Sequence, residues 1–443
     1  MTLIQSFSPY IEVKMLNNKK LLILGGNKLS CDIVKAAKEL GVYTAVLDWY
    51  STTQSPAKLI ADDFFDISIK DYQKIEEIIN EHHFDGVITG FTDSYLIPYT
   101  KICEMNRLPC YATSEQFQMS LDKSLFKQKC IEFGIPVISD FEVNDVRNNK
   151  SFSEYPIIIK PIDNSGSRGI NIVNDFSNFE ESLLDSLQFS EKGKVIIEKY
   201  LDCDDVSICY TIQDGDISLS AICDRFIYKT SSKGSVTSGL IYPSKYIKRY
   251  IDEIDGKIKK MFNACNMKNG VLFLQAFVDE KSFYFYEMGY RLSGGRHYIF
   301  TESQNNISAL KCLIKFAITG QMDSIKIKSL DDPNFKKICC QLSILCKSDE
   351  IHDIRGIDKI ESFNGVDDVT LYYEVGEKIG EEGTSRQIVG RIHITAENIS
   401  DLQKILHDIQ DTLKIYNSKG ENLIIDFFRF NIEDYKKDNE EKI

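Results

Sequence analysis

What the chain lacks narrows its function before any motif is read. No apolar run approaches the length of a membrane-spanning helix. The 12 cysteines are scattered without C-x-x-C spacing, and the 6 histidines form no H-x-H or H-x-x-x-H cluster, so a zinc site has nothing to start from. The N-terminal stretch MTLIQSFSPYIEVKM has no basic segment leading into an apolar one and a small-residue cleavage site. Without an export signal the cysteines are expected to be reduced thiols, several of them buried, in a cytoplasmic protein. There is no basic block either. Lys plus Arg number 53 against 66 Asp plus Glu, a formal charge of −13, which makes nucleic acid and anionic membranes poor partners. No internal repeat or low-complexity segment is present.

What remains is a globular chain of 443 residues, 43% apolar and 27% charged, enough for roughly two to four domains. From Lys19 onward strands and helices alternate. LLILGG (21–26) reads as a strand, 29–40 as a helix closed by Gly41, and 42–48 as the next strand; 62–67, 72–81 and 86–90 continue the series. Alternation predicts a doubly wound parallel sheet with ligands at the strand C-terminal ends. Gly25-Gly26 before a helix, with Asp48 closing the second strand, imitates a dinucleotide fingerprint. GGNKLS lacks the third glycine of G-x-G-x-x-G, which argues against NAD or FAD.

Two short helical segments are expected in 113–133 with a cap at Ser114, then strands at 136–141, 155–161 and 194–201 around a helix at 175–187. Alternating apolar residues over 206–221, broken by Gln213-Asp214-Gly215-Asp216, read as a hairpin. The polar stretch 229–239 reads as a substrate loop. A helix at 247–263, strands at 270–277 and 282–288, and a helix at 307–319 follow. The C-terminal part is β-rich at 338–347, 369–375 and 386–396, with a helix at 398–413 and a last strand at 423–430.

One stretch carries chemistry more openly than the rest: 157–172, IIIKPIDNSGSRGINI. A β-prone run ends at Lys160, and a turn rich in Ser and Gly follows before a second run. Gly166 and Gly169 allow backbone N–H groups to converge on an anion, with Ser165, Ser167 and Arg168 adding donors and Lys160 a fixed charge. On this stretch alone, a solvated hairpin tip fits equally well. Its neighbours in the sequence break the tie: Leu121-Asp122-Lys123 upstream, VIIEKYL (195–201) with Asp205 downstream, then FYFYEMGYRLSGG (283–295).

In that order the motifs resemble the ATP-grasp superfamily, well over about residues 20 to 300 and loosely beyond. The resemblance implies an α/β and α+β multidomain fold. Residues 1–112 would be a Rossmann-like domain, 113–205 a helical linker and lid, 206–325 the core, and 326–443 a C-terminal α+β region. It implies that Lys123, Lys160 and the flap residues Ser165, Gly166, Ser167, Arg168 and Gly169 hold ATP phosphates. Glu198, Lys199, Tyr200 and Leu201 would read the adenine and Asp205 the ribose, in place of the usual Glu after a glycine-containing turn.

Gln275 and Glu287 would ligate Mg²⁺, or Mn²⁺ in its stead, with Gly289 standing where many members have an asparagine ligand. Arg291 would face the reacting acyl group as a catalytic residue with Lys160, and Gly294, Gly295 and Arg296 would complete a substrate site. The expected activity is an ATP-dependent ligase joining a small carboxylate to an amine. Rival expectations are bicarbonate activation, as in the carboxylases and carbamoyl-phosphate synthetases, and a nucleotide-binding module that has lost catalysis. Dimers are common among members, so a homodimer is an assembly to consider.

Overall fold

Short apolar runs between turn residues make the first strands of the computed structural model, which describes residues 16–149, 152–162, 169–229 and 235–436. β1 (Lys20–Leu24), β2 (Tyr43–Leu47), β3 (Asp63–Phe65) and β4 (Gly86–Ile88) form a parallel sheet in the order β3-β2-β1-β4. Leu21, Leu22 and Ile23 are fully buried because helices cover both faces, so β1 reads as an unbroken apolar run. Gly86 permits a close approach: a Cβ there would lie 2.2 Å from the carbonyl oxygen of Ala317 in the helix Ala309–Thr319. Asp48 accepts hydrogen bonds from the Gly26 N–H at 2.8 Å and the Ser55 hydroxyl at 3.0 Å, so its carboxylate organises the loops at the sheet's C-terminal edge.

The linker helix Ser114–Leu121 is capped by Thr113, not Ser114: Thr113 and Gln116 form a reciprocal capping box. Asp122 caps the next helix, Lys123–Glu132. The lid follows as a four-stranded antiparallel sheet of β5 (Asp140–Phe141), β6 (Ile157–Pro161), β7 (Asn171–Val173) and β8 (Val195–Lys199), in the order β5-β8-β6-β7. The expected hairpin is present, with Ile157 opposite Val173 and Ile159 opposite Asn171. The lid has a core of its own, including Ile157, Ile159, Phe179, Leu183 and Ile197.

The remaining long strands build one antiparallel sheet. They are β9 (Asp204–Gln213), β10 (Asp216–Lys229), β11 (Ser235–Tyr242), β12 (Gly270–Val278), β13 (Phe283–Gly289) and β14 (Ile338–Leu345), with β16 (Val366–Leu371) and β17 (Ile388–Ala396) beyond them. β15 (Asp353–Arg355) pairs with β18 (Lys414–Tyr416) in a separate ribbon. The long sheet has the order β13-β12-β9-β10-β11-β14-β17-β16. Asp214 and Gly215, at φ 52° and 86°, make the tight turn between β9 and β10.

Several expectations are corrected here. The boundary at 325/326 is crossed by the sheet itself, since Gly239 of β11 lies opposite Leu342 of β14. Residues 423–430 form no strand, only the isolated bridge from Ile424 to Cys346. Ser235–Tyr242 is strand, so the expected loop 229–239 is half ladder, with 230–234 outside the described residues. The helix expected at 247–263 is interrupted by a π turn at Ile251–Asp255, and a helix not foreseen, Tyr298–Asn305, follows the 293–295 loop. Among the described residues no helix is long and apolar enough to cross a membrane.

Arg296 ties the parts together. It is 4% exposed, and its guanidinium pairs with Asp32 at 2.7 Å and Asp368 at 2.5 Å and donates to Thr370 at 3.0 Å. These partners come from the first helix and from β16. Beside them His393 of β17 lies 3.2 Å from the Gly295 carbonyl oxygen. The expectation that Arg296 binds substrate is therefore replaced: its donors are occupied by carboxylates that would otherwise be left unpaired. Breaking a buried pair of this kind costs on the order of 3 kcal/mol, so Arg296→Met should lower the thermal unfolding midpoint clearly. An unchanged midpoint would show that this clasp does not hold the domains.

Candidate active site

β6 and β8 of the lid face β9, β10, β12 and β13 across a cavity of about 800 Å³. Lys160, at the end of β6, lines it and contacts the Glu198 carboxylate on β8. The other Glu198 oxygen lies 3.2 Å from Lys127, which also reaches Asp140 at 3.1 Å. Glu198 is only 3% exposed. Its carboxylate thus serves two lysines, and what the 198–201 segment can offer an adenine is backbone. Apolar side chains at Ile138, Ile158, Leu201 and Phe277 border the same cavity and suit a flat base. Lys199 turns to Glu154, at 2.9 Å from its carbonyl and 3.3 Å from its carboxylate, and Tyr200 receives a hydrogen bond from Lys229 at 3.2 Å. Lys123 also lines the cavity; burial pulls its pKa down, and the charge of Glu287 works against that.

Asp205 departs from expectation. Arg225, opposite it in the β9–β10 register, donates to both its oxygens at 3.0 and 2.9 Å, and Tyr286 donates at 3.0 Å. Burial nevertheless raises its pKa to about 6. A carboxylate so engaged is a support for Arg225, and the ribose role is not carried forward.

Gln275 and Glu287 do lie side by side, as adjacent partners on β12 and β13. The register slips between Gln275 and Ala276, so consecutive residues Tyr286 and Glu287 both line the cavity instead of pointing to opposite faces. An amide oxygen and a carboxylate are hard donors that fit Mg²⁺. Among the described residues no group of three or more His, Cys, Asp or Glu could hold a metal, so an ion here would take its other oxygens from phosphate and water.

At Gly289 a Cβ would lie 2.3 Å from the Phe273 ring. The ring occupies the space into which an asparagine would project, and it supports the Arg291 guanidinium at 5.2 Å. Arg291 is clamped to Asp93 by two 2.6 Å hydrogen bonds and donates to the Leu292 carbonyl at 2.9 Å.

A second cavity, of about 840 Å³, adjoins the first; Gln275, Glu287, Arg225, Thr237 and Arg391 line both. Phe91, Asp93 and Ser94 from beyond β4 wall it on one side, and Gly294 and Gly295 on another. The structure therefore brings Lys123, Lys160, the 198–201 segment, Gln275, Glu287, Arg291, Gly294 and Gly295 around one double chamber. Ser165, Gly166, Ser167 and Arg168 lie outside the described residues; Gly169, at φ 71°, has no room for a Cβ beside Phe189. Asp93, Arg225, Tyr286 and Arg391 are the residues the sequence reading missed. Asp93 had a signal: it follows the C-terminal end of a parallel strand, where ligands gather. Arg225 had one too, being half of an adjacent Asp224-Arg225 charge pair set between the apolar runs Ala221–Cys223 and Phe226–Tyr228.

Residues 153–297, about a third of the chain, match the model of the ATP-grasp domain, so the chain carries an ATP-grasp domain. The proteins it is similar to carry out several chemistries. It is 24% identical over 320 residues to the carbamoyl phosphate synthase large chain of Clostridium beijerinckii, covering 66% of this chain and 29% of that one, so it spans less than a third of this curated relative. Among the solved structures that share the fold are two with distinct chemistries. An L-amino acid ligase from Bacillus licheniformis gives a TM-score of 0.75 at 17% identity, covering 91% of this chain and 99% of the other. The biotin carboxylase domain of the Hydrogenobacter thermophilus 2-oxoglutarate carboxylase, a dimer in complex with MgADP and bicarbonate, gives 0.71 at 17% identity, with 90% of each covered.

Two outcomes follow from the geometry. Gly289→Asn, which the resemblance alone would favour, should displace Phe273 and lower the thermal midpoint; a midpoint equal to wild type would mean the ring does not fill that space. Asp224 borders the first cavity and accepts from Ser244 at 2.5 Å, the Lys245 N–H at 3.1 Å and Tyr435 at 2.8 Å. Burial raises its pKa from 3.8 to about 6. The protonated fold is favoured, so this contribution is complete below about pH 4 and is lost as pH rises through 6. Over that window wild type should lose on the order of 3 kcal/mol relative to Asp224→Asn. Parallel stability profiles for the two proteins would remove the assignment.

Proposed function

We propose that this chain is an ATP-dependent ligase that activates a small carboxylate as an acyl phosphate and passes the acyl group to an amine. The supporting observation is the meeting of two chambers at Gln275 and Glu287. Lysines and a base-sized apolar slot lie on one side, and arginines and paired glycines on the other. In this reading Lys160 and Lys123 hold the polyphosphate, and Gln275 and Glu287 hold Mg²⁺, which when bound neutralises phosphate oxygens. Arg291, kept rigid by Asp93, positions the acid with its remaining N–H groups. The carboxylate oxygen attacks the terminal phosphorus as the bond to the ADP oxygen breaks. The amine nitrogen then attacks the acyl carbon, phosphate departs with the C–O bond pair, and the nitrogen loses a proton. Positioning and charge neutralisation are all the protein need supply.

Small acids and amines are the partners this reading calls for. The similarity to carbamoyl phosphate synthase and to a carboxylase solved with bicarbonate supports a second substrate, bicarbonate, on the same site. Phosphate release from ATP and Mg²⁺ across a panel of amino acids and carboxylic acids, with and without bicarbonate, separates the two. Lys160→Met should weaken ATP binding by roughly 10- to 100-fold, the loss of a charge-assisted contact. Glu287→Gln should instead shift the Mg²⁺ dependence of phosphate release to higher concentration. Wild-type affinity in the first variant and an unmoved Mg²⁺ curve in the second would sink the assignment of this edge.

A further inference from the structure

Four arginines line the second chamber, and they are not alike. Arg225 is neutralised by Asp205 and Arg291 by Asp93. Arg386 is exposed. Arg391, half-buried on β17, is different: it has no carboxylate partner among the described residues. Its contacts are neutral, to the Gly294 carbonyl at 2.7 Å and the Tyr372 hydroxyl at 2.9 Å, with its guanidinium over the Tyr372 ring at 5.4 Å. Its Nε is buried and lacks a hydrogen-bond partner among the described residues. Nη1 makes both of those contacts, so Nη2 is what this guanidinium, partly withdrawn from water and without a counter-charge, presents to an anion. Its planar fork is shaped for a carboxylate, and the contacts to Gly294 and Tyr372 fix its plane in advance.

We propose that Arg391 recognises the carboxylate of the amine-bearing substrate, so that the acceptor is an amino acid and not ammonia or a simple amine. This inference rests on the ligase reading above. Three features favour that anion over a nucleotide phosphate. The polyphosphate side already has Lys123 and Lys160. Arg391 is pinned to Gly294, on the wall of the second chamber. The same chamber offers Phe91, Leu240 and Phe273 as apolar surface for the body of a small amino acid. An acceptor carboxylate on Arg391 would leave its amine free to face the acyl group held beside Arg291.

The test uses hydroxylamine, an uncharged acceptor that attacks the acyl carbon, releases phosphate and leaves a hydroxamate. Purified full-length protein, Arg391→Met and Arg391→Lys are given ATP, Mg²⁺ and each common amino acid as the acid. Hydroxylamine, a free amino acid or its α-carboxamide serves as acceptor. Wild type should couple free amino acids far better than their carboxamides. In Arg391→Met, kcat/KM for the free amino acid should fall about 100-fold, the preference over the carboxamide should vanish, and hydroxamate formation should fall much less. Arg391→Lys keeps the charge without the fork and should lose about 10-fold, which preserves the test if the methionine variant does not fold. Equal losses of hydroxamate and coupling would overturn the assignment, as would an unchanged preference for the free acid in either variant. Wild type that yields no hydroxamate from any acid would overturn the ligase reading itself, and this inference with it, a result distinct from the other two.

Discussion

A guanidinium taken out of water needs a carboxylate within reach, and around this cleft that requirement recurs across the chain. Arg225 meets Asp205 on the neighbouring strand, Arg291 meets Asp93 beyond the first sheet, and Arg296 meets both Asp32 and Asp368. The first two pairs fix a side chain at the chamber wall, and the latter two fix one part of the chain against another. Losing either member would leave the other charge uncompensated, which is why such contacts constrain geometry more strongly than their net stabilisation suggests. The N-terminal sheet is thereby held against the central one at the chamber where the acid and amine are proposed to meet.

The lid is held by a different force. Its core is small and its own, built from β6, β7, β8 and the helix Phe179–Gln188, and it meets the long sheet through the bridge between Val137 and Phe285, the hydrogen bond from Lys229 to Tyr200 and the Lys160 ammonium over the Tyr286 ring. Charge then does at the hinge what apolar packing does inside: Glu198 of the lid gathers Lys160 from its own sheet and Lys127 from the linker helix. The lysine proposed to hold phosphate is thus paired with a buried carboxylate.

Local chemistry made much of this legible in the sequence. The strand and helix alternation of the first domain, the lid hairpin and the pairing of Gln275 with Glu287 all follow from periods of two or about 3.6 residues and from turn residues a few positions away. Partners far apart in sequence were not legible. Nothing near Arg296 announces Asp32 or Asp368, and Asp205, the last acid of Asp202-Cys203-Asp204-Asp205, looks the same whether it awaits a ribose or holds an arginine. The bulge at Gln275 was hidden for a related reason: one extra residue on β13 reverses the alternation that places Tyr286 on the opposite face. The strand expected at 423–430 failed because its pairing with the end of β14 stops after one bridge, at Ile424, and Phe427 and Phe428 pack by their side chains instead.

The continuity of the long sheet also has a bearing on how the molecule is made. β11 sits between β10, which precedes it directly, and β14, which begins only at Ile338. During synthesis the edge of β11 emerges with unsatisfied N–H and C=O groups and stays so until the ribosome has delivered the helices that follow it, β12 and β13, and then β14. β14 in turn waits for β17. Nascent chain in that interval presents an open, apolar strand edge of the sort that recruits chaperones or pairs wrongly with another chain. Translation speed between Tyr242 and Ile338 therefore sets how long the hazard lasts, although no residue in that stretch needs to be unstable once folding is complete.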